Sequence, residues 1–195
     1  MRDSHSRDLE ENFDKSKNRA DRIKVALGEL MIYAVIFILC LFLVPKFICC
    51  KYTVEGKSME SNLKQGQQLL GEKISYLVTE PKRFDVAVIQ PYEEQKDNYF
   101  VKRVIGLPGE TIEIQGDELK IDGKVIEDAY KKEPMHENQS FGPYKLGKDE
   151  YFVLGDNRNC SIDSRQEDIG PIPKDRFIAK IFIRVWPLDH LNLIR

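Results

Sequence analysis

From Leu30 to Val44 the chain reads LMIYAVIFILCLFLV without a single charge, and Ala26, Leu27, Phe47 and Ile48 extend the apolar run past Glu29 and Lys46. A helix between Lys24 and Lys46 spans roughly 30 Å, the thickness of a bilayer's hydrocarbon core. Lys46 can snorkel outward and Glu29 can lie near the inner interface. A cleaved secretory signal and a buried core helix compete with this reading. The run is followed by PKFICCK, with no small-x-small cleavage pattern, which argues for an uncleaved anchor. A core helix needs an apolar surround, and the strand-patterned remainder of the chain offers none. Lys15, Lys17, Arg19, Arg22 and Lys24 crowd the N-terminal flank, so the N-terminus is expected in the cytoplasm and everything after Lys51 outside. The expected organisation is that of a single-pass cell-membrane protein with a flexible cytoplasmic tail over 1–24 that can become helical near its end. A transmembrane helix over 25–50 and an extracytoplasmic β-rich domain over 51–195 follow.

At 195 residues the chain holds one anchor plus one domain large enough to bury a core. Its formal net charge of -2 and the lack of a basic patch interleaved with aromatics argue against a nucleic-acid partner. Cys40, Cys49, Cys50 and Cys160 have neither metal-ligand spacing nor the spread of a disulfide framework. A pairing of Cys49 or Cys50 with another chain stays open. His5, His136 and His190 are scattered and match no ligand spacing, so no metal is expected.

After the anchor the pattern changes to that of strands. Tyr52 to Gly56 is short and extended, Gln67 to Ser75 carries Leu69, Leu70 and Ile74, and RFDVAVIQ (Arg83 to Gln90) is a compact β-branched strand. Tyr99 to Ile105 follows, then Thr111 to Gln115, and then Glu118 to Ile126 with the hairpin signal Asp122-Gly123 at its centre. Glu127 to Lys148 is polar with two prolines and reads as an excursion over the surface. Tyr151 to Leu154 and Phe177 to Trp186 complete an all-β domain, with a small hairpin extension at about 111–148.

Three stretches could carry chemistry. In YFVKRVIGLPGE, alternation puts Phe100, Lys102 and Val104 on one face and Val101, Arg103 and Ile105 on the other. A lysine set among apolar neighbours pays to remain charged, so its pKa falls and it can serve as a general base. The same lysine at a sheet edge would merely snorkel to water. In VEGKSMESNL, Ser58 follows Gly56 and Lys57 in a flexible turn, either as a nucleophile or as the cap of a short helix starting at Met59. In GDNRNCSIDSR, Gly155 to Arg165, polar and charged residues fill a non-repetitive loop of the kind that orders itself on its own backbone. Asp156-Asn157 could be only a turn, Asp163 and Arg165 only a salt bridge, and Ser161 only exposed.

Taken together, VEGKSM, RFDVAVIQ, YFVKRVIGLPGE, GDNRNCSIDSR and IGPIPKDRFIAKIFIRVWP, in this order, resemble the type I (leader) signal peptidases in their small single-anchor, Gram-positive-like form. The resemblance runs from the anchor to about Trp186. It implies a mostly antiparallel β-sheet catalytic domain of signal peptidase type behind one N-terminal transmembrane helix. It also implies a membrane-bound serine endopeptidase that removes N-terminal signal peptides from exported preproteins with a Ser/Lys dyad, cleaving after small residues (Ala-x-Ala). By matching positions, Ser58 is the nucleophile and Lys102 the neutral base. Ser161 orients the lysine, Asp163 and Arg165 form a supporting ion pair, and Asp156, Asn157 and Arg158 lie on the loop beneath. The Ser58 backbone N–H is the expected oxyanion donor. Val54, Met59, Leu63, Phe100 and Val101 would line the pocket nearest the scissile bond. The implied partners are the signal peptides of secreted preproteins, membrane lipid and, as a candidate, the translocation machinery. No cofactor is implied.

This chain departs from the family pattern at several positions. Glu60-Ser61-Asn62-Leu63 stands where x-Pro-Thr-Leu is usual, Phe84 stands where glycine is usual before Asp85, and Gly56 stands where some relatives carry a serine donor. The first departure supports an alternative, a membrane-tethered homologue with narrowed or lost activity acting as a binding or assembly factor. A self-cleaving regulator with Ser/Lys chemistry would be expected to carry a DNA-binding module, and this chain offers an anchor in its place.

Overall fold

The computed structural model describes residues 3–43, 49–60, 62–94, 98–136, 139–188 and 191–194. Contacts divide the chain into two units, Met1–Lys46 and Phe47–Arg195. The first holds helix α1, Asp3–Leu43, 41 residues long. The expectation of a flexible tail is corrected here: the helix starts near the N-terminus. The cause is local, since neither proline nor glycine occurs from Asp3 to Leu27 and Glu, Lys, Arg and Ala are good helix formers. Within α1, Arg22–Phe42 is 21 residues long and apolar enough to cross a bilayer. Met31, Phe37 and Phe42 on it are exposed.

Residues 44–48, Ser61, His190 and the Cys49 side chain lie outside what is described. Strand β1, Cys49–Thr53, shows that residues 49 and 50, counted above with the anchor, belong to the sheet. Cys40, Cys50 and Cys160 are free thiols.

The second unit is antiparallel β. After β1 come β2 (Gln68–Glu72), helix α2 (Ile74–Val78), β3 (Val86–Ile89) and β4 (Phe100–Gly106). Next are β5 (Thr111–Gln115), β6 (Glu118–Ile121), β7 (Lys124–Val125), β8 (Ser140–Lys145) and β9 (Glu150–Leu154). The chain closes with β10 (Ile172–Pro173), β11 (Phe177–Trp186) and β12 (Asn192–Leu193). Among the described residues an eight-stranded sheet has the order β1-β2-β11-β3-β4-β9-β10, with β12 on β11, and a four-stranded sheet has the order β7-β6-β5-β8. Asp122 and Gly123 have φ of 50° and 76°, the left-handed pair that a two-residue hairpin turn requires between β6 and β7.

Three apolar clusters hold these layers. Ala87, Ile89, Val104, Tyr151, Val153 and Phe177 bury one face of the large sheet. Ile105, Phe152 and Leu154 meet Ile112, Ile114 and Leu119 between the two sheets. Val86, Val88, Ala179 and Ile181 cover Val54, Met59, Leu63 and Leu69. The third cluster seats the turn that follows β1.

Two element readings need correction. The strand expected from Gln67 to Ser75 ends at Glu72, where the Glu72 carboxylate accepts the Ser75 N–H at 2.8 Å and starts α2. Helical period then turns Tyr76 inward, edge-on to Phe177 at 5.5 Å, and leaves Leu77 exposed. The supposed surface excursion contains β8, paired with β5 from Thr111↔Lys145 to Gln115↔Ser140. Its side chains are mostly exposed and do not alternate, and Pro143 is tolerated because β8 is an edge strand.

Phe84 has φ of 70°, the left-handed region that favours glycine. A glycine would take up this backbone conformation without strain. The Phe84 ring offsets the strain by lying 5.2 Å from the Tyr130 ring and packing on the inter-sheet cluster. Phe84→Gly is expected to lower stability by about 1–2 kcal/mol, the lost packing outweighing the relieved strain. A thermal melt checks the sign.

Candidate active site

The turn after β1 is built around two buried anchors. Met59 and Leu63 are each 1 % exposed, four residues apart, and the Leu63 N–H donates to the Met59 carbonyl at 2.8 Å. Val54 is tied to the far side of the loop by its N–H to the Gln67 carbonyl and by its own carbonyl to the Gly66 N–H, both 2.9 Å. Between these anchors Gly56 takes φ of 81°, which lets the chain reverse and leaves Ser58 half-buried on the rim.

Lys102 sits inside β4 opposite Ala87 and is 3 % exposed. Its Nζ donates to Ser161 Oγ at 3.1 Å and lies 5.3 Å from the centre of the Phe100 ring. Burial lowers its pKa to about 8; Asp163 and Asp156 oppose the shift and Arg165 adds to it. The edge-lysine alternative fails, because the side chain is buried and its ammonium is held on Ser161 Oγ. Near neutral pH a usable fraction is the free amine.

The loop after β9 closes over both groups. A Cβ on Gly155 would collide with Ser161 Oγ and with the Ser58 carbonyl oxygen, so only glycine lets the loop lie this close. The Gly155 N–H donates to Asp163 Oδ2 at 3.1 Å, and Asp163, fully buried, takes Arg165 Nε at 2.8 Å and Arg165 NH2 at 2.9 Å. Arg165 also donates to the Arg158 carbonyl at 2.7 Å and to Gln139. Asp156 takes a two-pronged bond from Arg103, Nε to Oδ1 and NH2 to Oδ2, each at 2.8 Å. Arg103 in turn lies 3.8 Å from the centre of the Tyr130 ring. Asn157 reaches the serine turn itself: its N–H donates to the Ser58 carbonyl at 2.9 Å and its Nδ2 to the Lys57 carbonyl at 3.2 Å.

Ser58, Lys102, Val54, Met59, Phe100 and Val101 all line one cleft of about 450 Å³. Leu63 does not: it lies in the core behind Met59 and borders a separate cavity of about 630 Å³ with Arg103 and Arg184. Its place in the pocket wall is therefore corrected to support from behind. Ser161, Asp163, Arg165 and Asp156 stand behind Lys102 and outside the cleft lining. Sequence reasoning gave Arg103 no role, although alternation already set it on the face opposite Lys102, where a buried Asp156 needs a cation. It also gave none to Tyr130, whose polar neighbourhood in the sequence carries no such signal. Among the described residues no cluster of His, Cys, Asp and Glu is arranged to hold a metal.

The half-buried Ser58 hydroxyl and the buried Lys102 amine thus open on one cleft. Residues 27–186 match the protein family described as signal peptidase, peptidase S26. The chain is 30% identical over 190 residues, 95% of its length and 84% of the relative's, to a probable signal peptidase I-2 of Synechocystis sp.. It is 35% identical to signal peptidase I P of Bacillus subtilis subsp. natto, covering 92% of this chain and 98% of the relative. It is 33% identical to signal peptidase IB of Staphylococcus aureus, covering 87% and 95%. The chain belongs to the S26 signal peptidase family, and so is a serine endopeptidase of signal-peptide removal.

Proposed function

We propose that Ser58 and Lys102 are the dyad that cleaves signal peptides from exported preproteins after a small residue, as in Ala-x-Ala. The neutral Lys102 Nζ takes the proton of Ser58 Oγ as that oxygen attacks the scissile carbonyl. The oxyanion is met by the Ser58 backbone N–H. The C–N bond then breaks, the Lys102 ammonium protonates the leaving amine, and the signal peptide remains as an ester on Ser58. Water, deprotonated by the same amine, hydrolyses that ester and regenerates the hydroxyl. Serine, lysine and backbone amides suffice for every step.

The observation that carries this reading is the burial of Lys102 with its Nζ on Ser161 Oγ. Ser161 fixes where the nitrogen points, and Asp163, held by Arg165, fixes the Gly155 backbone over it. Asp163 and Asp156 also limit how far the lysine's pKa falls. Ser161→Ala is expected to lower kcat about 10- to 100-fold with KM little changed, since only the aim of the base is lost. Steady-state kinetics on a model preprotein separate the two constants.

Substrate binding follows from the sheet edges. Phe100 and Val101 pair with β3 on one side, while pairing of β4 with β9 begins only at Arg103. Strand β1 ends the sheet on its other side. An extended signal-peptide end can therefore add as a strand beside Tyr99 to Lys102 and Thr53 to Gly56. Met59, Val101, Val54 and Phe100 then give the residue before the scissile bond a shallow apolar floor that admits alanine.

The basic N-terminal flank of α1 orients it with the N-terminus in the cytoplasm. Residues 51–195 then work at the outer membrane face, against lipid and near the translocation machinery from which preproteins emerge. Cleavage of a preprotein ending in Ala-x-Ala by the detergent-solubilised chain, read as the mass of the released mature N-terminus, tests the function. Release after the final alanine is expected; no release from a folded protein over several such substrates contradicts it.

A further inference from the structure

We propose that Asn62 is a positioning residue that couples the turn carrying Ser58 to the strand carrying Lys102; this rests on the dyad proposed above. Asn62 Nδ2 donates to Asp156 Oδ2 at 2.8 Å, the oxygen that also accepts Arg103 NH2 at 2.8 Å. Asp156 is fully buried, and Arg103 directly follows Lys102 in β4. One carboxylate thus binds the serine turn to the lysine strand.

The turn from Val54 to Leu63 contains no proline, so no ring fixes its backbone. Its two ends are held in different ways. On the N-terminal side Asn157 grips the Lys57 and Ser58 carbonyls. Beyond the serine, the Asn62 N–H bonds the Met59 carbonyl at 3.1 Å, its carbonyl accepts Arg184 NH1 at 3.1 Å, and its side chain reaches inward to Asp156. Glu60 adds an ion pair with Lys132 at 3.3 Å, but both side chains are partly exposed, 26% and 36%, and such a pair contributes little. The Asn62 bond is of another kind, because its acceptor is an ionised carboxylate out of water. Removing it frees the C-terminal half of the turn and lets Ser58 Oγ drift relative to Lys102 Nζ, while the cleft wall stays in place.

The test is a series at position 62 on the full chain in detergent micelles. Asn62→Ala is expected to lower kcat at least tenfold with KM within about twofold. Asn62→Thr keeps a donor of shorter reach and should recover part of the loss. Asn62→Asp sets a second carboxylate against Asp156 and should be worse than alanine. Amide hydrogen exchange over residues 59–63 supplies a second readout, expected to speed up in Asn62→Ala and less in Asn62→Thr. Asn62 itself is exposed, so the alanine and threonine variants should stay folded, and a thermal melt of each separates lost folding from lost positioning. Unchanged kcat and unchanged exchange in Asn62→Ala would overturn the proposal, as would equal losses in the alanine and threonine variants. If the parent itself cleaves nothing, the dyad reading fails, and the exchange data alone still decide whether Asn62 pins the turn.

Discussion

Ser58→Ala is expected to reduce kcat on an Ala-x-Ala preprotein by about 10⁴-fold or more, equivalent to roughly 5–6 kcal/mol of lost transition-state stabilisation. The size follows from the role: without the hydroxyl no acyl-enzyme forms, and the remaining site only binds and orients. The fold should be untouched. Met59 and Leu63 carry the packing of this turn, whereas Ser58 is only half-buried on its rim. The melting temperature is expected to stay within a degree or two and KM to change little. A preprotein incubated with the variant should remain bound and intact in a pull-down. A variant that keeps more than about one hundredth of the parental kcat would show that another group attacks the carbonyl.

Lys102→Met is the second large effect, and it acts in opposite directions on rate and stability. With no base, kcat should again fall by about 10⁴-fold, and combining it with Ser58→Ala should cost little more, because the two groups act as one unit. Stability should rise. Folding lowers the Lys102 pKa from 10.5 to about 8, mainly by burial. The folded chain therefore binds fewer protons at this site than the unfolded chain between those pH values, and its stability climbs with pH across that window. Below pH 8 both states hold the proton and the full penalty of burying the charge applies; above 10.5 neither does and the penalty is gone. An apolar isostere removes a penalty of at most about 3 kcal/mol, so Lys102→Met should melt above the parent at pH 7 and converge with it at high pH. Lys102→Arg provides a contrast, since a guanidinium keeps its charge and cannot act as the base. An inactive but stabler variant would mark this lysine as one kept for chemistry at a cost in stability.

Much of the architecture was legible because local rules and tertiary packing agree in it. The alternation in YFVKRVI assigns Val104 to one cluster and Ile105 to the next, and both are found there. Asp122-Gly123 marks its hairpin because only such residues accept left-handed φ cheaply. The readings that failed are those where a neighbour overrides the pattern. Strand β8 has no buried face, so no alternation could announce it; it exists because β5 offers an unpaired edge. Helix α2 depends on the Glu72 carboxylate and on a slot for Tyr76 beside Phe177. The long tail helix follows from the helix propensity of its residues and from the absence of proline and glycine between Asp3 and Leu27.

The same distinction holds at the site. Ser58, Lys102, Ser161, Asp163 and Arg165 sit in three short stretches that could be singled out together, and the structure sets Ser58 and Lys102 on one cleft with Ser161 on the lysine and Arg165 on Asp163. Arg103, Tyr130 and Asn62 act through contacts between residues far apart in the chain, 68 positions in the case of Asn62 and Tyr130. No local pattern marks such pairs. Phe84 shows the reverse case. Its departure from glycine had no meaning until the backbone φ of 70° and the stack on Tyr130 were both in view.

The most direct test of the account is the pH dependence of kcat/KM for cleavage of an Ala-x-Ala preprotein by the parent chain between pH 6 and 10. The account predicts a rise of about tenfold per pH unit that levels off near pH 8, as Lys102 gives up one proton. A profile flat across that range, with the protein folded throughout, would contradict a neutral lysine as the base.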